Sequence, residues 1–275
     1  MLSVNNMSVT DIIKKAIDYP KNSLKNTVIF AGFLILFSLL SNLSGYFLFS
    51  DVNENMMEMS KTFTELISNI YSTLSVADWL IVIIGSIASI IVYLLIEGYI
   101  YRVYNGEDTL PEFNNFKEML VEGLKIIGVT IIYDIIPAII LFLGFYTGSE
   151  YNSGIGWALI VIGLILLIIA DLFLKPFAIA NMVKKGEFKG ALDISSITNR
   201  ILQIGILPYI GAVIFIAIIS AIVYFAISVL LTSSLFLLVI PYIWIFLMTM
   251  FVIISAVVAS YLNLFSNKVY QLLYD

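Results

Sequence analysis

The sequence contains neither cysteine nor histidine, and only 12% of its 275 residues are charged. Without cysteine the chain has no disulfide, no thiol nucleophile and no thiolate metal site. Without histidine, Ser-His-Asp catalysis, zinc-hydroxide chemistry and histidine proton relays are excluded. So few charges cannot cover a water-soluble fold, in which about a quarter of the residues are charged. A net charge of −5 gives no electrostatic surface for nucleic acid, so we expect no nucleic-acid partner.

Hydrophobic residues make up 61% of the chain and fall into six long runs. A membrane-spanning helix needs about 20 mostly apolar residues, and each run is long enough. The predicted spans are 27–49, 79–101, 124–146, 155–180, 204–230 and 235–265. The last run is long enough to tilt, or to continue past the membrane as an interfacial helix. The sequence therefore predicts an all-α, polytopic transmembrane bundle, with residues 1–275 forming one integral membrane domain.

The distribution of lysine and arginine predicts how the bundle is oriented. If the N-terminus is cytoplasmic, thirteen of the fourteen Lys and Arg residues fall on that side and only Lys61 lies outside. Cytoplasmic loops of membrane proteins carry an excess of these two residues. We therefore expect a multi-pass protein of the cell (plasma) membrane with both termini in the cytoplasm.

Amphipathic segments precede the first, third and fifth spans. In the first, Ile12, Ile13 and Ile17 share one helical face with lysines opposite, and Ser8 caps the start. The three predicted interfacial helices cover residues 8–19, 115–127 and 187–204. Each would lie in the headgroup layer ahead of a transmembrane hairpin. The pattern suggests three similar units, at 8–105, 106–185 and 186–275. The helices either anchor the bundle, which we favour, or contact lipid or a partner.

A dense motif between residues 98 and 137 resembles a known family. It comprises Gly98-Tyr99-x-x-Arg102, Gly106-Glu107, Leu110-Pro111-Glu112-Phe113, Glu122-Gly123-Leu124-Lys125, Tyr133 and Pro137. This series resembles the domain-of-unknown-function family numbered 4013, a set of polytopic membrane proteins found largely in archaea. The resemblance implies an archaeal plasma membrane and supports the hairpin architecture. It implies no reaction, ligand or catalytic residue.

The turn within this motif is a candidate cytoplasmic site formed by Arg102, Gly106, Pro111 and Glu112. Arg102 ends the second span, where a cation interacts favourably with a helix C-terminus and with anionic headgroups. Gly106 permits a tight turn and Pro111 stiffens the approach to the next helix. A structural turn explains these residues, and functional use is the alternative.

Four ionisable residues inside the predicted spans form the main candidate site: Glu97, Asp134, Asp171 and Lys175. Such residues are costly in lipid and usually face protein or water. Asp171 and Lys175 are four residues apart on one helix and can form an ion pair. Asp134 has no partner nearby in sequence, although Lys175 is a possible one. Pro137 frees a backbone carbonyl one turn earlier, and broken helices beside a carboxylate build ion sites in transporters.

We expect no enzyme activity, no catalytic residue, no metal site and no cofactor. The favoured interpretation is a non-catalytic membrane scaffold, assembly or lipid-organising module. The alternative is a transporter or channel for a small solute or ion that uses Asp134 near Pro137. An intramembrane enzyme acting on lipid is the least favoured interpretation, because no dedicated acid–base motif is present. The expected partners are membrane lipids, with a second copy of the chain or an unknown membrane protein as further possibilities.

Overall fold

The computed structural model describes residues 8–49, 75–106, 108–150, 153–235 and 241–275. These residues are almost entirely helical and include no β-strand. The α-helices are α1 (Val9–Asp18), α2 (Leu24–Phe49), α3 (Val76–Tyr104), α4 (Phe116–Glu150), α5 (Ser153–Ile169), α6 (Lys175–Lys185), α7 (Ile194–Ile204), α8 (Ile206–Leu235) and α9 (Pro241–Tyr274). Two 3₁₀-helices (Tyr19–Ser23 and Phe188–Leu192) and one π-helix (Ala170–Leu174) lie between them.

Six helical segments in the described part of the chain are long and apolar enough to cross a membrane. They are Val9–Gly45, Val76–Tyr104, Phe116–Gly148, Ser153–Lys185, Ile206–Val229 and Thr249–Tyr274. Large aliphatic side chains such as Ile136, Ile218 and Leu207 are exposed on the outer faces of these segments. This arrangement confirms the predicted all-α polytopic bundle with six spans, because such faces suit lipid better than water.

The segments predicted as interfacial helices differ from one another. Helix α1 is separate, and Ser8 accepts a hydrogen bond from the Asp11 amide at its start. Helix α7 is also separate and ends at Gly205, whose φ of 96° favours glycine. The segment 115–127 is not a separate helix, because it forms the first turns of α4. No proline precedes Pro137 within α4, so the helical hydrogen bonds continue unbroken into the span.

Two glycines of the motif set a close crossing between α3 and α4. A Cβ atom on Gly98 would lie 1.9 Å from the Met119 carbonyl oxygen, and one on Gly123 would lie 2.0 Å from that of Leu94. Small residues permit such close backbone approach between membrane helices. The crossing fixes the spacing of the two helices that carry most of the charged side chains discussed below.

The largest buried core lies at the end of the bundle that carries Lys15 and Lys184, and we call this end the basic end. There α1 meets the loop after α3, where Lys15 pairs with Asp108 at 2.8 Å. The end of α6 meets the end of α9, where Lys184 pairs with Asp275 at 2.5 Å. The C-terminal part of α9 was predicted either as part of a tilted span or as an interfacial helix. Most of its residues 264–273 are instead buried in protein. They pack among aromatic side chains of the other helices, including Tyr19, Tyr104, Phe177 and Tyr209.

Candidate functional site

The structure brings three of the four predicted intramembrane charges into direct contact. Lys175 at the start of α6 places its Nζ 2.8 Å from Asp134 Oδ2 of α4. The same ammonium group pairs with Asp171, one turn earlier in its own span. The Lys175 side chain is 13% exposed, whereas the side chains of Asp134 and Asp171 are 27% and 40% exposed, so the ammonium group is the most buried of the three. The prediction that Lys175 pairs with Asp171 is confirmed, and the possible contact between Lys175 and Asp134 is present.

Asp171 lies in the π-helix that joins α5 to α6. A π-helix leaves backbone carbonyls poorly satisfied, and such helices occur frequently at functional sites. Here two tyrosine hydroxyl groups supply the hydrogen bonds. Tyr209 of α8 donates to the Phe173 carbonyl at 2.6 Å, and Tyr270 of α9 donates to the Leu172 carbonyl at 3.2 Å. The irregular backbone is therefore held by both helices of the last hairpin.

The helix beside Asp134 is not broken at the proline. α4 is an unbroken α-helix through Pro137. The predicted break at Pro137 is therefore wrong, and the irregular helix next to a carboxylate is the unpredicted π-helix of the next span. Tyr133 points away from the charges and donates a hydrogen bond to the Ala191 carbonyl at 2.7 Å.

Glu97 of α3 is the fourth member of the group. It lines the same cavity as Lys175 and Asp171. The described cluster thus contains three carboxyl groups and one ammonium group. Asp134 Oδ1 is buried and has no hydrogen-bond partner within the described residues. Negative charge therefore exceeds positive charge at this point in the span layer.

The charges border a cavity of about 400 Å³ between α3, α4, the π-helix, α6, α8 and α9. Ionisable side chains on its wall are Glu97, Asp171 and Lys175. Asp134 is not on the wall but is paired with Lys175. Uncharged polar side chains also line it: Tyr104, Thr130, Ser220, Asn263, Ser266, Asn267 and Tyr270. Aliphatic side chains complete the wall. A cavity of this mixed character can hold a small polar molecule.

The polar side chains of α9 were missed in the sequence. Asn263, Ser266, Asn267 and Tyr270 follow a spacing of three, one and three residues, which places them on one helical face. This polar stripe at the end of a long apolar run was a usable signal. It begins at Asn263, within the last predicted span, and continues beyond the end of that span, so hydropathy alone does not distinguish it from the polar flank of a membrane helix.

Arg102, the centre of the predicted turn motif, lies in a different cluster at the basic end. Its Nε donates to Glu122 of α4 at 2.8 Å. Its Nη1 donates to the backbone and side-chain oxygens of Asn114 at 2.8 and 3.0 Å. Further contacts reach the carbonyls of Glu112 and Asn115, at 3.4 Å each. The planar guanidinium thus holds the loop before α4 against the end of α3.

The remaining turn residues also have structural contacts. The Pro111 carbonyl accepts hydrogen bonds from Tyr99 at 2.9 Å and from Asn26 at 3.0 Å. Gly106 has a φ of 98° and lies against Gln271 and Lys184, so a side chain there would be both strained and crowded. The turn does not contribute to the cavity wall described above.

No group of three or more Asp or Glu side chains suited to a metal ion occurs within the described residues. The three carboxyl groups near Lys175 are instead spread over three helices and the ammonium lies among them. The chemistry that this arrangement supports is the binding of a proton or of a positively charged group, since both neutralise excess carboxylate.

Comparison with known proteins places the site within a family. A family model described as “Protein of unknown function (DUF4013)” matches residues 80–232, which is more than half of the chain. The matched region runs from α3 to α8 and includes both the Arg102 cluster and the four intramembrane charges. No curated protein and no solved structure matches the chain. The chain belongs to the DUF4013 family.

Proposed function

We propose that the protein is a non-enzymatic membrane transporter that passes a small polar solute through the cavity beside Lys175. The observation that supports this proposal is the convergence of Glu97, Asp134, Asp171 and Lys175 at a polar cavity in the span layer. Charged side chains within membrane spans are rare because they are costly in lipid, and they usually face protein or a water-filled cavity. A bundle that served only to organise the membrane does not need these charges, because replacing a buried ion pair by well-packed apolar residues is often neutral or stabilising.

The surroundings of the cavity also suit transport. The π-helix is held on one side by tyrosine hydroxyls from α8 and α9, so movement of the last hairpin would move Asp171 relative to Asp134. Sites formed by irregular helices are common in transporters, where one helical unit moves against another. The three-unit organisation remains a prediction, and parallel repeats occur among transporters too.

We place the basic end in the cytoplasm and the protein in the plasma membrane. The exposed lysines at that end, among them Lys14, Lys21, Lys184 and Lys189, support this orientation. The archaeal setting rests on the family resemblance described above. With this orientation, the cavity lies in the cytoplasmic half of the bundle.

A membrane-organising role is the second candidate. It is supported by α7, where Ile194 and Leu202 are exposed on the surface of the molecule while Ile197 is buried in its core. Exposed apolar residues on a short helix at the basic end suit the headgroup layer, as predicted for an interfacial helix. This role requires no aqueous cavity, and the two candidates can therefore be separated by experiment.

The test compares two adjacent residues of α4 in single-cysteine variants. Thr130→Cys places a thiol on the cavity wall, whereas Ile131→Cys places one at the same depth on an exposed apolar face. Because the natural chain has no cysteine, no background thiol reacts. Each variant in sealed vesicles is treated with a small membrane-impermeant thiosulfonate, with Lys185→Cys as the aqueous control.

We expect Thr130→Cys and Lys185→Cys to react and Ile131→Cys to remain unmodified. Lys185→Cys should react only from the cytoplasmic face, and the opposite result would reverse the proposed orientation. If Thr130→Cys is as unreactive as Ile131→Cys while Lys185→Cys reacts, the cavity is not open to water. Transport would then be rejected, and the membrane-organising role would become the better explanation.

A further inference from the structure

The cavity beside Lys175 carries more negative than positive charge. Two carboxyl groups, from Asp134 and Asp171, pair with the ammonium group of Lys175, and a third, from Glu97, lines the same cavity. Lys175 contacts both aspartates directly, whereas Glu97 lies on the same cavity wall as Lys175. An ionised carboxylate in a low-dielectric site is unfavourable without a compensating positive charge. Glu97 is therefore the group in the cluster with the greatest need for a proton or a bound cation.

The rest of the wall favours a cation that carries N–H donors. Asn267 donates its amide N–H to Asn263 Oδ1 at 2.8 Å, so its side-chain carbonyl oxygen is left as the acceptor. Ser220 and Ser266 add hydroxyl oxygens, and the Tyr104 and Tyr270 rings add aromatic surface. Carboxylate, amide and hydroxyl oxygens together are good acceptors for an ammonium group, and aromatic faces attract cations.

The protein itself shows that the site can hold a primary ammonium group. Lys175 Nζ lies between carboxylates from two different spans, which is the environment that an amine ligand would need. A metal ion fits less well, because the described residues contain no cluster of three carboxylates converging on one point. The volume of about 400 Å³ accommodates a small organic amine beside Lys175.

We propose that the cavity binds a small primary ammonium compound, whose charged group pairs with Glu97 and with the amide oxygen of Asn267. This inference rests on the proposed transport function and names its class of solute. A proton and the ammonium group compete for the same Glu97 carboxylate. When the cation binds to protonated Glu97, the O–H bond breaks, the proton passes to water and the carboxylate pairs with the ammonium.

The competition between the proton and the cation for Glu97 depends on the titratable groups that surround this side chain. The titratable groups around Glu97 are Tyr93 on its own helix and, on the cavity wall, Tyr104, Tyr270 of α9, Asp171 and Lys175, with Asp134 of α4 paired to Lys175. The tyrosines stay neutral and the aspartates are paired with Lys175. Glu97 is thus the group in this set whose protonation changes on cation binding.

The experiment measures binding of methylammonium chloride to the full chain in lipid nanodiscs by titration calorimetry. Potassium chloride controls for ionic strength, and acetamide controls for a neutral molecule of similar size. We expect saturable binding of methylammonium alone. Affinity should fall at least tenfold in Glu97→Gln and stay within twofold in Glu187→Gln, which makes the same change at an exposed residue.

A second measurement does not depend on a variant. Titration of the unaltered protein in two buffers with different ionisation enthalpies counts protons released per bound cation, and we expect proton release that increases as the pH is lowered. Binding without proton release, or equal heats with methylammonium and acetamide, would overturn the proposal.

If Thr130→Cys is modified but methylammonium does not bind, transport stands and the solute class is wrong. If Thr130→Cys is not modified, the transport function itself fails.

Discussion

Two clusters in this molecule are each centred on one cation, and the cation has a different role in each. Arg102 distributes its donors over Glu122 and the loop before α4, at the basic end. Lys175 offers a compact ammonium to Asp134 and Asp171 beside a cavity in the span layer. The guanidinium group is a rigid fork, whereas the ammonium group is a point charge on a flexible stem.

The difference shows how a structural cluster is distinguished from a functional candidate. Around Arg102, donors and acceptors match closely, and the contacts explain why the turn has its shape. Around Lys175, a buried oxygen of Asp134 has no partner within the described residues, and Glu97 adds a further carboxyl group. Unpaired charge next to a cavity indicates a ligand site, because buried polar groups are normally paired. A network in which the donors and acceptors are all paired is explained by the stability of the fold alone.

The largest expected effect comes from the crossing that positions both clusters. Arg102 and Glu97 lie on α3, and their partners Glu122 and Asp134 lie on α4. Gly98→Ala would force the α3 backbone away from α4, since its Cβ would lie 1.9 Å from a carbonyl oxygen. We expect a loss of at least about 3 kcal/mol in stability, or failure to fold.

The control for this change is Gly32→Ala in α2, where nothing lies within 4 Å of the new methyl group. It should be neutral or slightly stabilising, because alanine favours a helix more than glycine does. Thermal unfolding in nanodiscs measures both variants. Equal melting temperatures for the two would show that the close crossing does not exist.

The next effect concerns the Lys175 cluster alone. Lys175→Met removes the cation and leaves Asp134 and Asp171 uncompensated. We expect a loss of about 2–3 kcal/mol, somewhat less than for a fully buried pair because the carboxylates are partly exposed. The double variant Lys175→Met/Asp134→Asn should recover part of the loss, since one negative charge is removed. A double variant as unstable as the sum of its single changes would contradict the pairing.

A smaller effect is expected for Arg102→Lys. Lysine keeps the charge but cannot reach Glu122 and Asn114 together, so the loop before α4 should loosen at a cost of about 1–2 kcal/mol. Melting temperature should fall while methylammonium affinity is unchanged. A change in that affinity would mean that the two clusters are coupled, contrary to the comparison above.

The smallest effect is a pH dependence at the start of α7. Hydrogen bonds from Lys185 and from Ser196 hold the pKa of Asp193 below its ordinary value of 3.8. The folded pKa is the lower one, so the stabilisation is complete above about pH 4 and is lost as the pH falls below it. The protection of the α7 amides, which is their exchange rate relative to the intrinsic rate at the same pH, should therefore decrease at low pH in the natural protein. In Asp193→Ala the protection should be low at every pH, and a natural protein without this pH dependence would contradict the capping role.

Much of the fold follows from the sequence because lipid leaves few alternatives. A run of about 20 apolar residues must form a helix to satisfy its backbone, so six spans could be predicted. The four intramembrane charges could also be predicted, since each is costly in lipid. The contact between Asp134 and Lys175 was only one possibility, because hydropathy does not determine which faces of two helices meet.

Other features depend on packing that no local pattern encodes. Residues 115–127 have the amphipathic pattern that is typical of a separate surface helix. The first turns of a longer membrane helix can have the same pattern, and in α4 they do. The end of α9 was expected as part of a tilted span or at the interface, yet it is buried at the basic end, and its polar stripe of Asn263, Ser266 and Asn267 lines the cavity. Tertiary contacts with α1, α6 and α8 decide that placement, and they join segments far apart in sequence.

The central claim, that a water-filled cavity lies beside Lys175, is tested most directly with nitroxide spin labels at positions 220 and 218 of α8. Ser220 lines the cavity, whereas Ile218, half a turn away, is exposed on an apolar face. Relaxation by a water-soluble nickel complex reports aqueous contact, and relaxation by oxygen reports lipid contact. The account predicts that the nickel complex relaxes the label at 220 and oxygen relaxes the label at 218. A label at 220 that oxygen relaxes as strongly as the one at 218, with no effect of nickel, would contradict it.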